Sequence, residues 1–72
     1  MSKNNIKNKI RSLRFHKDEM TQQQLADAVG VSRQTIVAIE KGNSSPSLEL
    51  AFRLAEVFEK PIQDVFSYEN NS

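Results

Sequence analysis

Arg33 and Gln34 stand side by side directly after Ser32, and each carries a flat, two-pronged hydrogen-bonding group. A guanidinium offers parallel N–H donors, and a carboxamide offers a donor beside an acceptor. Groups of this shape bond in pairs to purine edges, arginine to guanine O6 and N7 and glutamine to adenine N6 and N7, each pair discriminating by about 1–3 kcal/mol. Val37 suits contact with a thymine methyl group, and Ala38 lies beside it. A plainer reading stands next to this one. Arg33 and Gln34 could be a solvated surface pair, and Val37 and Ala38 apolar residues tolerated on an exposed face. The elements that carry these residues decide between the two.

Helical spacing organises the whole chain. Ile6, Ile10 and Leu13 recur at intervals of three to four, which predicts a first helix from residue 6 to near Lys17. Thr21 can cap a second helix with Gln24 completing a capping box, and Met20 can staple onto Leu25. That helix runs from Gln22 through Leu25, Ala26 and Val29 and ends at Gly30, whose freedom at positive φ suits the turn. Ser32 caps a third helix over residues 33–41, with Ile36 and Ile39 on its buried stripe and Gly42 as its stop. At about 100° of rotation per residue, Arg33, Gln34, Val37, Ala38 and Lys41 fall away from Ile36 and Ile39. Base contacts concentrate at the N-terminal end of a helix laid in the major groove, where Arg33 and Gln34 sit. The hydroxyls of Ser32 and Thr35 are candidate phosphate ligands.

Asn43 to Pro46 reads as a surface loop, after which Ser47 caps a fourth helix bearing Leu48, Ala51, Leu54, Ala55 and Phe58. Lys60-Pro61 breaks it, and Ile62, Val65 and Phe66 make a short fifth helix. There is no strand signal. The expected fold is therefore all-α: a compact five-helix bundle in one domain over residues 6–67, between a flexible N-terminus (1–5) and a polar C-terminal tail (68–72).

Composition narrows the chemistry. The 72 residues contain no cysteine and one histidine, His16, which removes disulfides and leaves zinc without a ligand set. No nucleophile with its base, metal cluster or phosphate loop is present, and a chain this short has no room for a deep pocket, so neither an enzyme nor a cofactor is expected. Short apolar runs and the lack of an apolar leader stretch argue for a cytoplasmic protein. The net charge of +1 conceals a strong asymmetry. Residues 1–17 hold Lys3, Lys7, Lys9, Arg11, Arg14 and Lys17 and no acid, whereas the rest of the chain is acidic. Such segregation suits a basic segment that faces an anion, although a solvated helix face would have the same composition.

Two short helices joined at Gly30 cannot be stable alone, and the small Ala26 lets them approach closely. The stretch TQQQLADAVGVSRQTIVAIEKG, from Thr21 to Gly42, resembles the helix-turn-helix of the XRE family, the phage-repressor and Cro-like regulators. The likeness covers the Thr-Gln start, Ala26, Gly30, the Val-Ser-Arg-Gln entry at 31–34, the Ile-Glu-Lys-Gly exit at 39–42, Pro46-Ser47-Leu48 and Val65-Phe66. One residue more than is usual in the family separates Leu13-Arg14 from Thr21-Gln22, so Phe15 to Glu19 should form a longer turn.

The resemblance implies a lambda-repressor-like bundle and a sequence-specific regulator that binds double-stranded DNA; no membrane partner is expected from the short apolar runs, and no small-molecule ligand is evident in the residues. It implies that Gln22, at a helix N-terminus whose dipole favours anions, clamps a phosphate. Lys41, Asn43 and Ser44 are further candidates for the backbone, and Arg14 is paired with Glu40 as a structural ion pair. One small domain reads few base pairs, so a homodimer on a palindrome with half-sites about 34 Å apart is expected. Phe66 and Tyr68 are the expected interface, and repression the expected outcome. A rival reading keeps the fold and changes its use: an antitoxin or controller-type module that works through protein contacts, with Phe52, Phe66 and Tyr68 as its surface.

Overall fold

The computed structural model describes residues 5–69. Its elements in chain order are β1 (Ile6–Asn8), α1 (Ile10–Phe15), α2 (Gln22–Val29), α3 (Arg33–Lys41), α4 (Leu48–Phe58), α5 (Ile62–Val65) and β2 (Phe66–Tyr68). The ends of these helices follow from local chemistry. Thr21 and Gln24 close a reciprocal capping box, Gln24 N–H donating to Thr21 Oγ1 at 3.0 Å and Thr21 N–H to Gln24 Oε1 at 2.9 Å. Ser32 and Ser47 cap α3 and α4 by accepting from Thr35 N–H and Leu50 N–H. Gly30 and Gly42 end α2 and α3 at φ of 78° and 80°, where a Cβ would strain the backbone.

The expectation of an all-α fold is corrected at both ends of the chain. Ile6–Asn8 is a strand, and it pairs antiparallel with Phe66–Tyr68 in the register Ile6 with Tyr68, Lys7 with Ser67 and Asn8 with Phe66. The spacing from Ile6 to Ile10 looks helical, but those residues serve different elements. Asn8 Oδ1 accepts from Ile10 N–H at 3.1 Å, so the helix begins only there. Phe66 leaves α5 in an extended conformation, at φ −125° and ψ 148°, and its alternation with Ser67 and Tyr68 fits a strand. Each strand is too short to read by itself, and its partner lies at the other end of the chain. Tyr68, assigned above to a polar tail, is thus part of the sheet. The flexible N-terminus and the rest of the tail fall outside the described residues, Asn5 and Glu69 excepted.

α1 also ends earlier than its periodicity suggests, at Phe15. A turn carries the chain to α2 through Asp18 and Glu19, both at positive φ, while Met20 N–H returns to the Arg14 carbonyl at 2.9 Å. The core gathers Ile10 of α1, Leu25, Ala26 and Val29 of α2, Ile36 and Ile39 of α3, Leu54, Ala55 and Phe58 of α4, and Val65 of α5. Ala26 is fully buried in α2, which packs against both α3 and α4. Among the described residues no buried side-chain nitrogen or oxygen lacks a partner, and no helix is long and apolar enough to cross a membrane.

Candidate nucleic-acid interface

α3 is committed to the core on one side and open on the other. Ile36 and Ile39 are 0% and 2% exposed and lock its inner face into the core. Around the rest of the helix, Arg33, Gln34 and Lys41 are exposed, and Val37 and Ala38 are half-buried. A strongly basic prong and an amide prong thus project from the first turn, with a smooth apolar step behind them.

The last turn of α3 is fixed by a polar cluster. Arg14 of α1 donates from Nε to Glu40 Oε2 at 2.7 Å and from a terminal nitrogen to Oε1 at 3.1 Å, a two-point pair. Its third nitrogen donates to the Met20 carbonyl at 2.8 Å, just ahead of α2. Gln22 Nε2 reaches the same Glu40 Oε1 at 3.2 Å. The side chains of Arg14 and Glu40 are only 14% and 8% exposed. The guanidinium therefore balances the Glu40 charge, and the three helices α1, α2 and α3 meet at one carboxylate.

A groove opens over this cluster. Arg11, Arg14, Gln22, Val37, Glu40 and Lys41 line it together with Glu19 and Met20. It brings together five of the residues singled out in the sequence, Gln22, Val37 and Lys41 with the pair Arg14 and Glu40. Ser32, Arg33, Gln34 and Thr35 belong to the start of α3, on the N-terminal side of Val37, and do not line the groove; Arg33 and Lys41 lie roughly 12 Å apart along the helix. Ser32 and Thr35 hold each other: their hydroxyl oxygens are 3.1 Å apart, and Ser32 Oγ also caps the helix. Asn43 and Ser44 are exposed in the loop that leaves α3. Phe66 is half-buried against the core, while Tyr68 is 67% exposed.

Two features escaped the reading of the sequence. Besides Arg14, which is paired with Glu40, Arg11 is the member of the basic N-terminal run that joins Gln22 and Lys41 on the groove, and charge counting could not single it out from Lys7, Lys9 and Lys17. Asn8 spans from β1 to the end of α3, its Nδ2 donating to the Ile39 carbonyl at 2.9 Å. Assigning residue 8 to a helix hid that role.

Comparison with known proteins agrees with this architecture. A family model described as helix-turn-helix matches residues 10–65. An uncharacterized HTH-type transcriptional regulator of Methanocaldococcus jannaschii is 51% identical over 67 residues, covering 92% of this chain and 98% of its own length. The uncharacterized HTH-type transcriptional regulator YgzD of Bacillus subtilis is 42% identical, covering 93% of this chain and all of its own. The Vibrio cholerae phage CTXphi transcriptional repressor RstR is 41% identical over 59 residues, 82% of this chain and 52% of the repressor. A candidate DNA-binding protein from Bacteroides fragilis shares the fold, with a TM-score of 0.73 at 24% identity over 86% of this chain and 98% of that one. By the match of residues 10–65 and by relatives alike over nearly their full length, the chain belongs to the XRE-type helix-turn-helix family of transcriptional regulators.

Proposed function

We propose that this protein is a sequence-specific DNA-binding regulator that lays α3 in the major groove of double-stranded DNA. One observation carries the reading: α3 is buried along Ile36 and Ile39 and bolted at Glu40, while Arg33 and Gln34 stand exposed at its first turn. In this role Arg33 and Gln34 read purine edges, and Val37 and Ala38 meet the groove floor. Gln22, Lys41 and Arg11 face one DNA strand across the groove that they line. Ser32 and Thr35 at the start of α3, and Asn43 and Ser44 in the loop after it, contact further phosphates. Glu40 stays a structural partner of Arg14, because a carboxylate repels phosphate.

The protein acts as a repressor in the cytoplasm, as a homodimer on a palindromic operator. A relative named as a phage transcriptional repressor supports repression, and occlusion of polymerase requires only tight binding. The dimer contact is built around β2, where Tyr68 is exposed and Phe66 rests on the core. Selection of bound sequences from a random duplex pool tests the whole reading. It should return a two-fold symmetric motif whose half-sites lie about one helical turn apart. Affinity for that motif should fall with added salt in proportion to a handful of phosphate contacts. A pool that emerges unenriched, or binding indifferent to salt, overturns DNA reading. Sedimentation as a monomer both free and on the selected duplex overturns the dimer alone.

A further inference from the structure

Resting on the assignment of α3 as the DNA reader, we propose that Asn8 is a positioning residue that sets the angle at which α3 presents Arg33 and Gln34. Its carboxamide works at both ends. Oδ1 accepts from Ile10 N–H at 3.1 Å, and Nδ2 donates to the Ile39 carbonyl at 2.9 Å. The first N–H groups of α1 and the last carbonyls of α3 have no partner within their own helices. Asn8 satisfies one of each with a single planar group, which aspartate, lacking a donor, cannot do. The Ile39 carbonyl also accepts from Gly42 N–H at 3.0 Å, so the bond from Asn8 is added to the helix end and does not replace its cap.

The placement matters because of leverage. Ile39 and Glu40 are adjacent, but they are held from different elements, Glu40 by Arg14 of α1 and Gln22 of α2 and Ile39 by Asn8 of β1. Ile36 and Ile39 seat α3 on the core, and the Glu40 cluster holds its last turn from α1 and α2. With a second anchor from another direction its tilt is fixed. A tilt of about 5° at this end moves the first turn of a nine-residue helix by roughly 1 Å, enough to misalign a paired hydrogen bond to a base. β1 is itself fastened by its pairing with β2 and by Lys9 N–H donating to the Val65 carbonyl at 2.9 Å. The sheet that joins the chain ends thereby becomes part of the reading apparatus.

Two variants separate positioning from plain stability. Asn8→Asp keeps the acceptor for Ile10 and loses the donor to Ile39; Asn8→Ala loses both. Each is measured, at a temperature where circular dichroism shows it folded, for affinity to the selected duplex, to duplexes altered at one base, and to random duplex. The orientation of α3 relative to α2 is read from residual dipolar couplings of the DNA-free protein. In both variants α3 should tilt by several degrees, and discrimination between selected and altered duplexes should drop about tenfold, with affinity for random duplex unchanged. If Asn8→Ala is not folded, Asn8→Asp supplies the same measurements, since it retains the helix-starting bond. Unchanged couplings with unchanged discrimination overturn the proposal, as does a uniform loss on every duplex that follows the melting curve. A wild-type protein that prefers no duplex defeats the DNA reading instead, and the couplings still decide whether Asn8 orients the helix.

Discussion

The two ends of α3 are built on opposite principles. Its C-terminal turn is tied by charged and neutral hydrogen bonds to α1, α2 and β1, and the ion pair there is nearly out of solvent. Its N-terminal turn is held by Ser32, a hydroxyl cap local to the helix, and leaves Arg33 and Gln34 exposed. A reader needs both. Side chains that must reach another molecule cannot spend their hydrogen bonds at home, so the rigidity that aims them has to come from the far end.

That contrast can be broken from its stronger side first. Arg14→Ala should destabilise the fold by about 3 kcal/mol or more, because Glu40 is left with its charge buried and only Gln22 beside it. Thermal or urea unfolding would measure this, and a loss below about 1 kcal/mol, the worth of a surface pair, would remove the case for a bolted end. Gln34→Ala and Arg33→Ala should leave stability within about 0.5 kcal/mol, as befits exposed sites. Each should weaken discrimination at one base position by about 1–3 kcal/mol in binding to duplexes altered base by base. Ser32→Ala, which removes the free end's cap, should cost about 1 kcal/mol of stability. The smallest effect is expected at Arg11. Arg11→Ala should lower affinity equally for all duplexes and reduce the salt slope by about one, leaving base preference as it was.

Much of this contrast was legible in the sequence because its causes are local. Thr21 with Gln24, Ser32, Ser47, Gly30 and Gly42 mark helix ends through contacts within a few residues, and the bounds of α2 and α3 and the start of α4 follow from them. The sides of α3 were legible too, since Ile36 and Ile39 fix its inward face by periodicity alone. The ends of the chain were not. Ile6 to Asn8 carries no pattern long enough to distinguish strand from helix, and what makes it a strand is Phe66 to Tyr68, some sixty residues away. Asn8 was hidden for the same reason, its second partner being a backbone carbonyl, which no residue type advertises. The end of α1 is a different case, because the periodicity runs on to Lys17 while the extra residue before Thr21 points to a longer turn from Phe15 to Glu19. That end is set by Arg14, whose carbonyl receives the returning Lys17 and Met20 amides in the turn.

The pairing of β1 with β2 gives the fold an order of assembly. Contacts within and between α2 and α3 are close in the sequence and can form early, whereas the sheet closes a loop spanning almost the whole described chain and must come late. During synthesis the helices can gather while β1 still waits for residues 66–68 to emerge. Only when that last strand arrives is the first one seated beside α3. A chain whose residues 66–68 have not yet emerged would therefore hold a helix-turn-helix without its sheet, and the arrival of β2 would coincide with the seating of Asn8 against α3.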